Sequence, residues 1–313
     1  MLTQTQIDEF NTQGVLVVPN VLDPDLLTRI RSEYSALLDD QYEKWYATGL
    51  VPAAGDMDFY QKLLVSYRAK CDWFQPMDIS LPGDKVQADT PFHFGPAVFD
   101  MITHGPLLDV VEALIGPEIT SNPIQHVRLK PPAVNLRDTE NRAHIMATDW
   151  HQDRAVAHEE GDNTNMVTVW LAISDATVEN GCLQAIPGKP RMYPHCPKKQ
   201  TAIADGFLDL DQAMPLPVLA GGAVIFHPLT PHASLDNVSD RFRWSFDIRY
   251  NVTGQPTGRA HFPSFVARSR SNPGSEMTDW QAWRDLWVAA RERLAVKDHI
   301  PIHRWTADSP ACA

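Results

Sequence analysis

Residues 241–250 alternate more clearly than any other stretch of this chain. Phe242, Trp244, Phe246, Ile248 and Tyr250 fall on one side, and Arg241, Arg243, Ser245, Asp247 and Arg249 on the other. Successive side chains of an extended strand point to opposite faces, so this segment is a strand with one apolar face and one charged face. The apolar face needs a core to cover it. The charged face, if it turns inward, needs partners, because an arginine buried without an anion is costly. Other segments share the two-residue period or the continuous apolar character of buried strands. Residues 125–130 put Val127 and Leu129 on one face and His126, Arg128 and Lys130 on the other. Residues 166–173 are almost wholly apolar, as in a strand buried on both sides. Residues 182–186 return after the tight turn Glu179-Asn180-Gly181, and residues 223–226 form a further apolar run.

Helical signals flank these strands. Thr3-x-x-Gln6 caps a short helix that Gly14 stops before a strand at 15–18. Asp23-Pro24 opens a second helix, with Leu27, Ile30, Tyr34 and Leu38 at helical spacing. Residues 106–116 read as a third. Thr278-x-x-Gln281 caps a C-terminal helix carrying Trp280, Trp283, Trp287 and Leu294. Residues 45–105 show no clear period and are predicted to be irregular, and residues 189–216, rich in Pro, Lys and Asp, form a second loop.

One constellation carries chemistry. In Thr148-Asp149-Trp150-His151-Gln152-Asp153, a strand would aim His151 and Asp153 the same way. The third donor is His232, just past the apolar run at 223–226. Two imidazoles and one carboxylate on one face of a metal, with the other positions open, form the facial triad of non-haem Fe(II) oxygenases. Arg243 follows on the alternating strand, a planar cation suited to the far carboxylate of 2-oxoglutarate. The same three ligands also suit a zinc-dependent hydrolase, in which the metal activates water.

Trp150-His151-Gln152-Asp153, Val169-Trp170-Leu171-Ala172, the segment from Glu179-Asn180-Gly181 to Pro187-Gly188, His232-Ala233-Ser234 and Arg243 together resemble the phytanoyl-CoA dioxygenase family in order and approximate spacing. Residues 10–27 are similar to its first helix and strand, so the resemblance covers most of the chain. It implies a mainly β fold with flanking helices, a double-stranded β-helix or jelly roll of the cupin type. It also implies one domain over 1–313, with a helical N-terminal buttress at about 3–40, a barrel core at about 119–255 and a C-terminal helix at about 279–294. By resemblance, His151, Asp153 and His232 hold Fe(II), 2-oxoglutarate chelates it through the C1 carboxylate and ketone, and Arg243 and Ser234 hold the C5 end. Trp170, Thr168 and His126 are placed among the residues that contact the cosubstrate. The chain departs from the family at Lys189, where Ser-His usually follows Pro-Gly, and at Gly222, where many members have Asp.

The implied reaction consumes O2 and 2-oxoglutarate, releases succinate and CO2, and hydroxylates an unactivated C–H bond of a small-molecule metabolite. Asp153 fills the coordination site a halide would need, which favours hydroxylation over halogenation. Desaturation or cyclisation stays open, as does an acyl-CoA substrate, although no concentrated basic patch is seen for the CoA phosphates. A non-catalytic cupin-like binding protein would be expected to have lost part of the triad.

The formal charge of −12, with no run of Lys or Arg, argues against nucleic acid as a partner. No apolar run approaches membrane-spanning length, and no basic-then-apolar leader is present, so export and membrane insertion are not expected. Cys71, Cys182, Cys196 and Cys312 are scattered without paired spacing and are expected to be reduced thiols in a cytoplasmic protein.

Overall fold

The computed structural model describes residues 2–83, 85–140, 142, 144–197, 200–204, 206–297, 299–302, 304–308 and 312. The N-terminal part builds α1 (Gln4–Gln13), β1 (Val15–Val18), α2 (Pro24–Ala47), α3 (Phe59–Arg68), α4 (Phe74–Met77), α5 (Pro96–Ile102) and α6 (Gly105–Ile115). Strands follow: β2 (Glu118–Lys130), β3 (Met166–Ala172), β4 (Leu183–Ala185), β5 (His195–Cys196), β6 (Ala202–Ile203) and β7 (Met214–Leu216). The chain continues with β8 (Ala223–Phe226), β9 (His232–Ser234), β10 (Arg243–Val252), β11 (Phe265–Ser269) and α7 (Trp280–Leu294).

The capping box at Thr3 forms as the sequence requires. Gln6 N donates to Thr3 Oγ1 at 3.3 Å and Thr3 N donates to Gln6 Oε1 at 2.9 Å. Gly14 ends the helix at φ 73°, where a Cβ would meet Thr230 Oγ1 at 2.3 Å, so only glycine lets β1 lie this close to the loop before β9. Asp23 caps α2 by accepting from Leu26 N at 2.8 Å.

The strands form antiparallel sheets. Six strands pair in the order β1-β8-β3-β10-β2-β11, three in the order β7-β4-β9, and β5 pairs with β6. The alternation of β10 decides the layering. Trp244, Phe246, Ile248 and Tyr250 join one apolar core with residues of α2, α5, α6 and α7. A second, smaller cluster, including Trp170, Val224 and Phe226 from the large sheet and Leu183, Ala185 and Leu216 from the small one, fills the space between the two sheets. Arg243, Asp247 and Arg249 alternate with the helix-facing residues and line the cavity that opens between the sheets.

Several expectations need correction. Residues 45–105 hold α3, α4 and α5, with Leu63, Tyr67, Met77 and Val98 buried in the larger core. These helices are short and take much of their stability from tertiary burial, which a periodicity search does not register. The cap of α7 is Asp279, which accepts from Gln281 N at 2.8 Å, and not Thr278. The alternating strand starts at Arg243, because Asn237 Nδ2 and Ser239 Oγ take the carbonyl of Arg241 and withdraw it from the ladder. Arg241 is therefore an exposed neighbour of Asp240 and not a member of the inward face.

The cysteine reading is also corrected. Cys196 and Cys312 form a disulfide across 116 residues of sequence, while Cys71 and Cys182 are free thiols. The pairing has no spacing signature because the C-terminal segment folds back over β5: Trp305 stacks on His195 at 5.2 Å, and its Nε1 donates to Ala155 O at 2.9 Å. No helix among the described residues is long and apolar enough to cross a membrane.

Candidate active site

Two short pieces of backbone meet to build the site. His151 and His232 form an isolated antiparallel bridge, with N–H to O distances of 2.9 and 3.0 Å. The next contact along is Ser234 N to Thr148 O at 3.0 Å, so the first chain spans three residues where its partner spans two. This bulge at Asp149 and Trp150 interrupts the pairing, and the strand expected over 148–153 is reduced to one bridge. Gln152 stays extended (φ −125°, ψ 137°), which keeps His151 and Asp153 on one side, and Asp153 then begins a 3-10 turn.

The three donor atoms lie within 4.8 Å of one another. His232 Nε2 is 3.6 Å from Asp153 Oδ2, and His151 Nε2 is 4.0 Å from Asp153 Oδ1. Each imidazole is oriented from behind, because Nδ1 of His151 donates to Asp149 O and Nδ1 of His232 to Thr230 O, both at 2.9 Å. A carbonyl can only accept, so these bonds fix the tautomer and leave both Nε2 lone pairs facing the common point. Burial, and after it the neighbouring His232, push the His151 imidazole down to about 3, which keeps it neutral.

Asp153 is buried between cations. Burial alone would raise its carboxyl, but the Arg249 guanidinium, followed by the two imidazoles, outweighs that and holds it well below the usual carboxylate range. Arg249 Nη2 donates to Oδ1, while Oδ2 has no hydrogen-bond partner. Arg128 forms a two-pronged bond with Asp247, Nε to Oδ1 at 2.6 Å and Nη2 to Oδ2 at 3.0 Å.

Arg243 is different. It is 0% exposed, its Nε, Nη1 and Nη2 have no hydrogen-bond partner among the described residues, and its guanidinium lies 5.0 Å over the Trp170 ring. Burial, with Arg128 adding to it, pushes its pKa down to about 9. It shares a cavity of about 20 Å³ with the two histidines, Asp153, Thr168 and Trp170. At its outer side, Arg128, Thr148, His151 and Arg249 also line a second cavity of about 390 Å³.

The structure thus brings His151, Asp153, His232, Arg243, Trp170 and Thr168 together. Ser234 lies behind them, its Oγ accepting from Lys130 Nζ at 2.6 Å and from Thr148 N at 2.8 Å. His126 lines the outer cavity, with Nδ1 at 2.9 Å from Asp78 Oδ2 and its ring 4.6 Å from that of His144. Lys130 was not singled out in the sequence. It pairs across the ladder with Arg243, is 2% exposed, and burial and then Arg243 drive its pKa well down. The signal was its place on the even-numbered face of residues 125–130. Arg268 and Arg270 are bound to Asp109 and Glu112.

The profile of the phytanoyl-CoA dioxygenase family matches residues 10–245. The chain belongs to this family. It is 26% identical over 244 residues to phytanoyl-CoA dioxygenase domain-containing protein 1 of Mus musculus, covering 73% of this chain and 77% of that protein. It is also 26% identical over 262 residues to the peroxisomal phytanoyl-CoA dioxygenase of Mus musculus, covering 80% and 68%. Among solved structures, the apo form of the non-heme monooxygenase ThoJ aligns over 92% of this chain and 96% of its own, with a TM-score of 0.56 and 18% identity. EvdO2 from Micromonospora carbonacea var. aurantiaca, solved with 2-oxoglutarate, aligns over 81% and 92%, with a TM-score of 0.52 and 20% identity. These two likenesses show the fold. The phytanoyl-CoA dioxygenase family consists of Fe(II)/2-oxoglutarate-dependent dioxygenases, and this chain is an enzyme of that class with the His-x-Asp…His donor set in place.

The residues present fit both reagents. Two imidazoles aimed by their Nδ1 bonds and a carboxylate oxygen without a partner among the described residues suit a divalent iron. A buried guanidinium without a hydrogen-bond partner among the described residues suits a carboxylate.

Proposed function

We propose that this enzyme hydroxylates an unactivated C–H bond of a small-molecule metabolite, with His151, Asp153 and His232 holding Fe(II) and Arg243 holding the far carboxylate of 2-oxoglutarate. The observation that carries the reading is the bare Arg243 guanidinium beside the triad. Elsewhere on the same face, Arg249 and Arg128 meet carboxylates. Burying a cation with no partner is costly, and a dicarboxylate cosubstrate removes that cost.

When bound, iron and 2-oxoglutarate supply a two-electron oxidation in which O2 converts the keto acid to succinate and CO2 and places oxygen on the substrate. The chain's own residues do the rest. Arg243 and Trp170 orient the cosubstrate, one by charge and one by its face. Lys130, held by Thr148 and Ser234, braces the strand position that pairs with Arg243. Arg249 keeps Asp153 ionised and leaves Oδ2 free. The two facing antiparallel sheets are read as the halves of a jelly roll, one domain over the whole chain with helices from both ends outside it.

Anaerobic titration of the metal-free protein with Fe(II) and then 2-oxoglutarate tests this. A weak visible charge-transfer band is expected, and Arg243→Ala should require at least tenfold more 2-oxoglutarate to reach it. Iron binding without a band, together with turnover that needs no O2, would instead favour a hydrolase.

A further inference from the structure

The outer cavity holds a second buried guanidinium without a counter-ion. Arg259 is 6% exposed and lines this cavity beside Arg249. Its Nη2 donates to the carbonyls of Val156 and Ile302, at 2.5 Å for the latter, while Nε is buried with no partner. Among the described residues, Nη1 makes no hydrogen bond and no carboxylate lies in ion-pair range of the group. The other arginines of the cavity are committed: Arg128 to Asp247, Arg249 to Asp153, and Arg142 to Glu140 at 2.9 Å. Asp149 also lines the cavity but forms no ion pair with Arg259. Filling the inner site does not change this balance, because the charges of Fe(II) and 2-oxoglutarate cancel. Arg259 keeps its positive charge, on the wall of the space from which a substrate would approach the triad.

The geometry points to Arg259 as the anchor for a single carboxylate on the substrate, so that the substrate class is a monoanionic small molecule with an apolar body. This rests on the oxygenase reading for the word substrate, but the anion site itself needs no iron. The two carbonyls take both hydrogens of Nη2 and leave Nη1 as the donor that a carboxylate can use. A lone cation matches a monoanion, whereas a dianionic phosphate group calls for more positive charge. Ile124, Val156 and Ile302 give the cavity an apolar stretch among polar residues such as His126, His144 and Gln200, and its volume of about 390 Å³ is within the range of small-molecule sites. An acid bound here would be near the metal, because Val156 ends the 3-10 turn that begins at Asp153.

The test is a matched-pair titration. The anaerobic Fe(II)/2-oxoglutarate-loaded protein is titrated by calorimetry with a set of arylalkanoates of increasing length, represented by 4-phenylbutyrate. Each acid is compared with its primary amide and with the phosphonate of equal length. The series is repeated on metal-free protein. Carboxylates are expected to bind at least tenfold more tightly than their amides in both preparations. Arg259→Gln should erase that preference without weakening the amides, and Arg259→Lys should keep part of it. Arg259 as a mere clamp on Val156 and Ile302 predicts instead that acid and amide weaken together. The inference is overturned if no carboxylate in the series binds, if the wild-type preference is under threefold, if the preference survives Arg259→Gln, or if the phosphonate binds more tightly than the acid. Should Arg259→Gln not fold, the wild-type ratio and Arg259→Lys still decide. Absence of the charge-transfer band with the preference intact would remove the oxygenase reading and leave the anion site.

Discussion

The two faces of β10 are both buried, and they are stabilised in opposite ways. Toward the helices, Trp244, Phe246, Ile248 and Tyr250 are satisfied by contact; Trp244 sits 5.2 Å from the Tyr34 ring and Phe246 5.6 Å from it. Toward the small sheet, Asp247 and Arg249 are satisfied by charge, and Arg243 meets the face of Trp170 but no hydrogen-bond partner among the described residues. The helix side is closed by packing, although Trp244 Nε1 is buried without a partner among the described residues, whereas the sheet side has an incomplete ledger of charge. The missing entries of such a ledger indicate what binds.

The comparison breaks most visibly at the triad. His232→Ala should abolish tight iron binding and cut turnover at least 1,000-fold, about 4 kcal/mol at the transition state, measured by succinate release, with the melting temperature of the metal-free protein little changed. On the helix side, Phe246→Ala should cost about 3–5 kcal/mol in denaturant unfolding through the cavity it leaves, while the 2-oxoglutarate dependence of any active fraction stays the same. The adjacent Asp247→Ala should cost a similar amount for a different reason, since Arg128 would be left buried without its carboxylate. Arg243→Met sharpens the contrast. It should raise the 2-oxoglutarate requirement about 100-fold, about 2.7 kcal/mol, yet leave the metal-free protein as stable as before or slightly more so. A large loss of stability in Arg243→Met would show that the guanidinium has a structural partner after all.

The smallest effect is set by pH, and it also falls on the polar side. Burial pushes His195 and His227 each down to about 4. Both rings accept backbone N–H bonds, from Gln152 at 3.1 Å and from Leu229 at 3.1 Å, which only neutral imidazoles can do. The unfolded chain takes up these protons near pH 6.5, while the folded chain resists until about 4. The metal-free protein should therefore melt at progressively lower temperature as pH falls from 6.5 to 4, and be nearly flat above 6.5. His195→Gln and His227→Gln together should reduce that slope; an unchanged slope would place the titration elsewhere.

Most of the fold was legible because its signals are local. A capping box at Thr3, Asp23 followed by Pro24, the Asn180-Gly181 turn and the alternation of residues 242–250 each operate within a few residues. There, sterics and hydrogen-bond geometry leave few choices. Gly181 shows the limit of that reading: its φ of 82° is what the turn predicts, but only the fold shows Leu235 O at 2.6 Å from where a Cβ would be. The short helices between 45 and 105 were hidden because tertiary contacts hold them.

By itself, the sequence determined the longer strands and helices outside residues 45–105, the three candidate metal donors and the candidate cation Arg243, because residue type and spacing decide which atoms can donate and which faces share a side. Tertiary structure alone decided which cations are spent. Arg128, Arg243, Arg249 and Arg259 are alike as letters. Only the folded chain assigns Asp247 to the first and Asp153 to the third, leaving the second and fourth without a carboxylate among the described residues, and it alone brings Cys312 to Cys196. The physical reason is that charge compensation is a short-range property of three-dimensional neighbours, in a low-dielectric interior where an unpaired ion is costly.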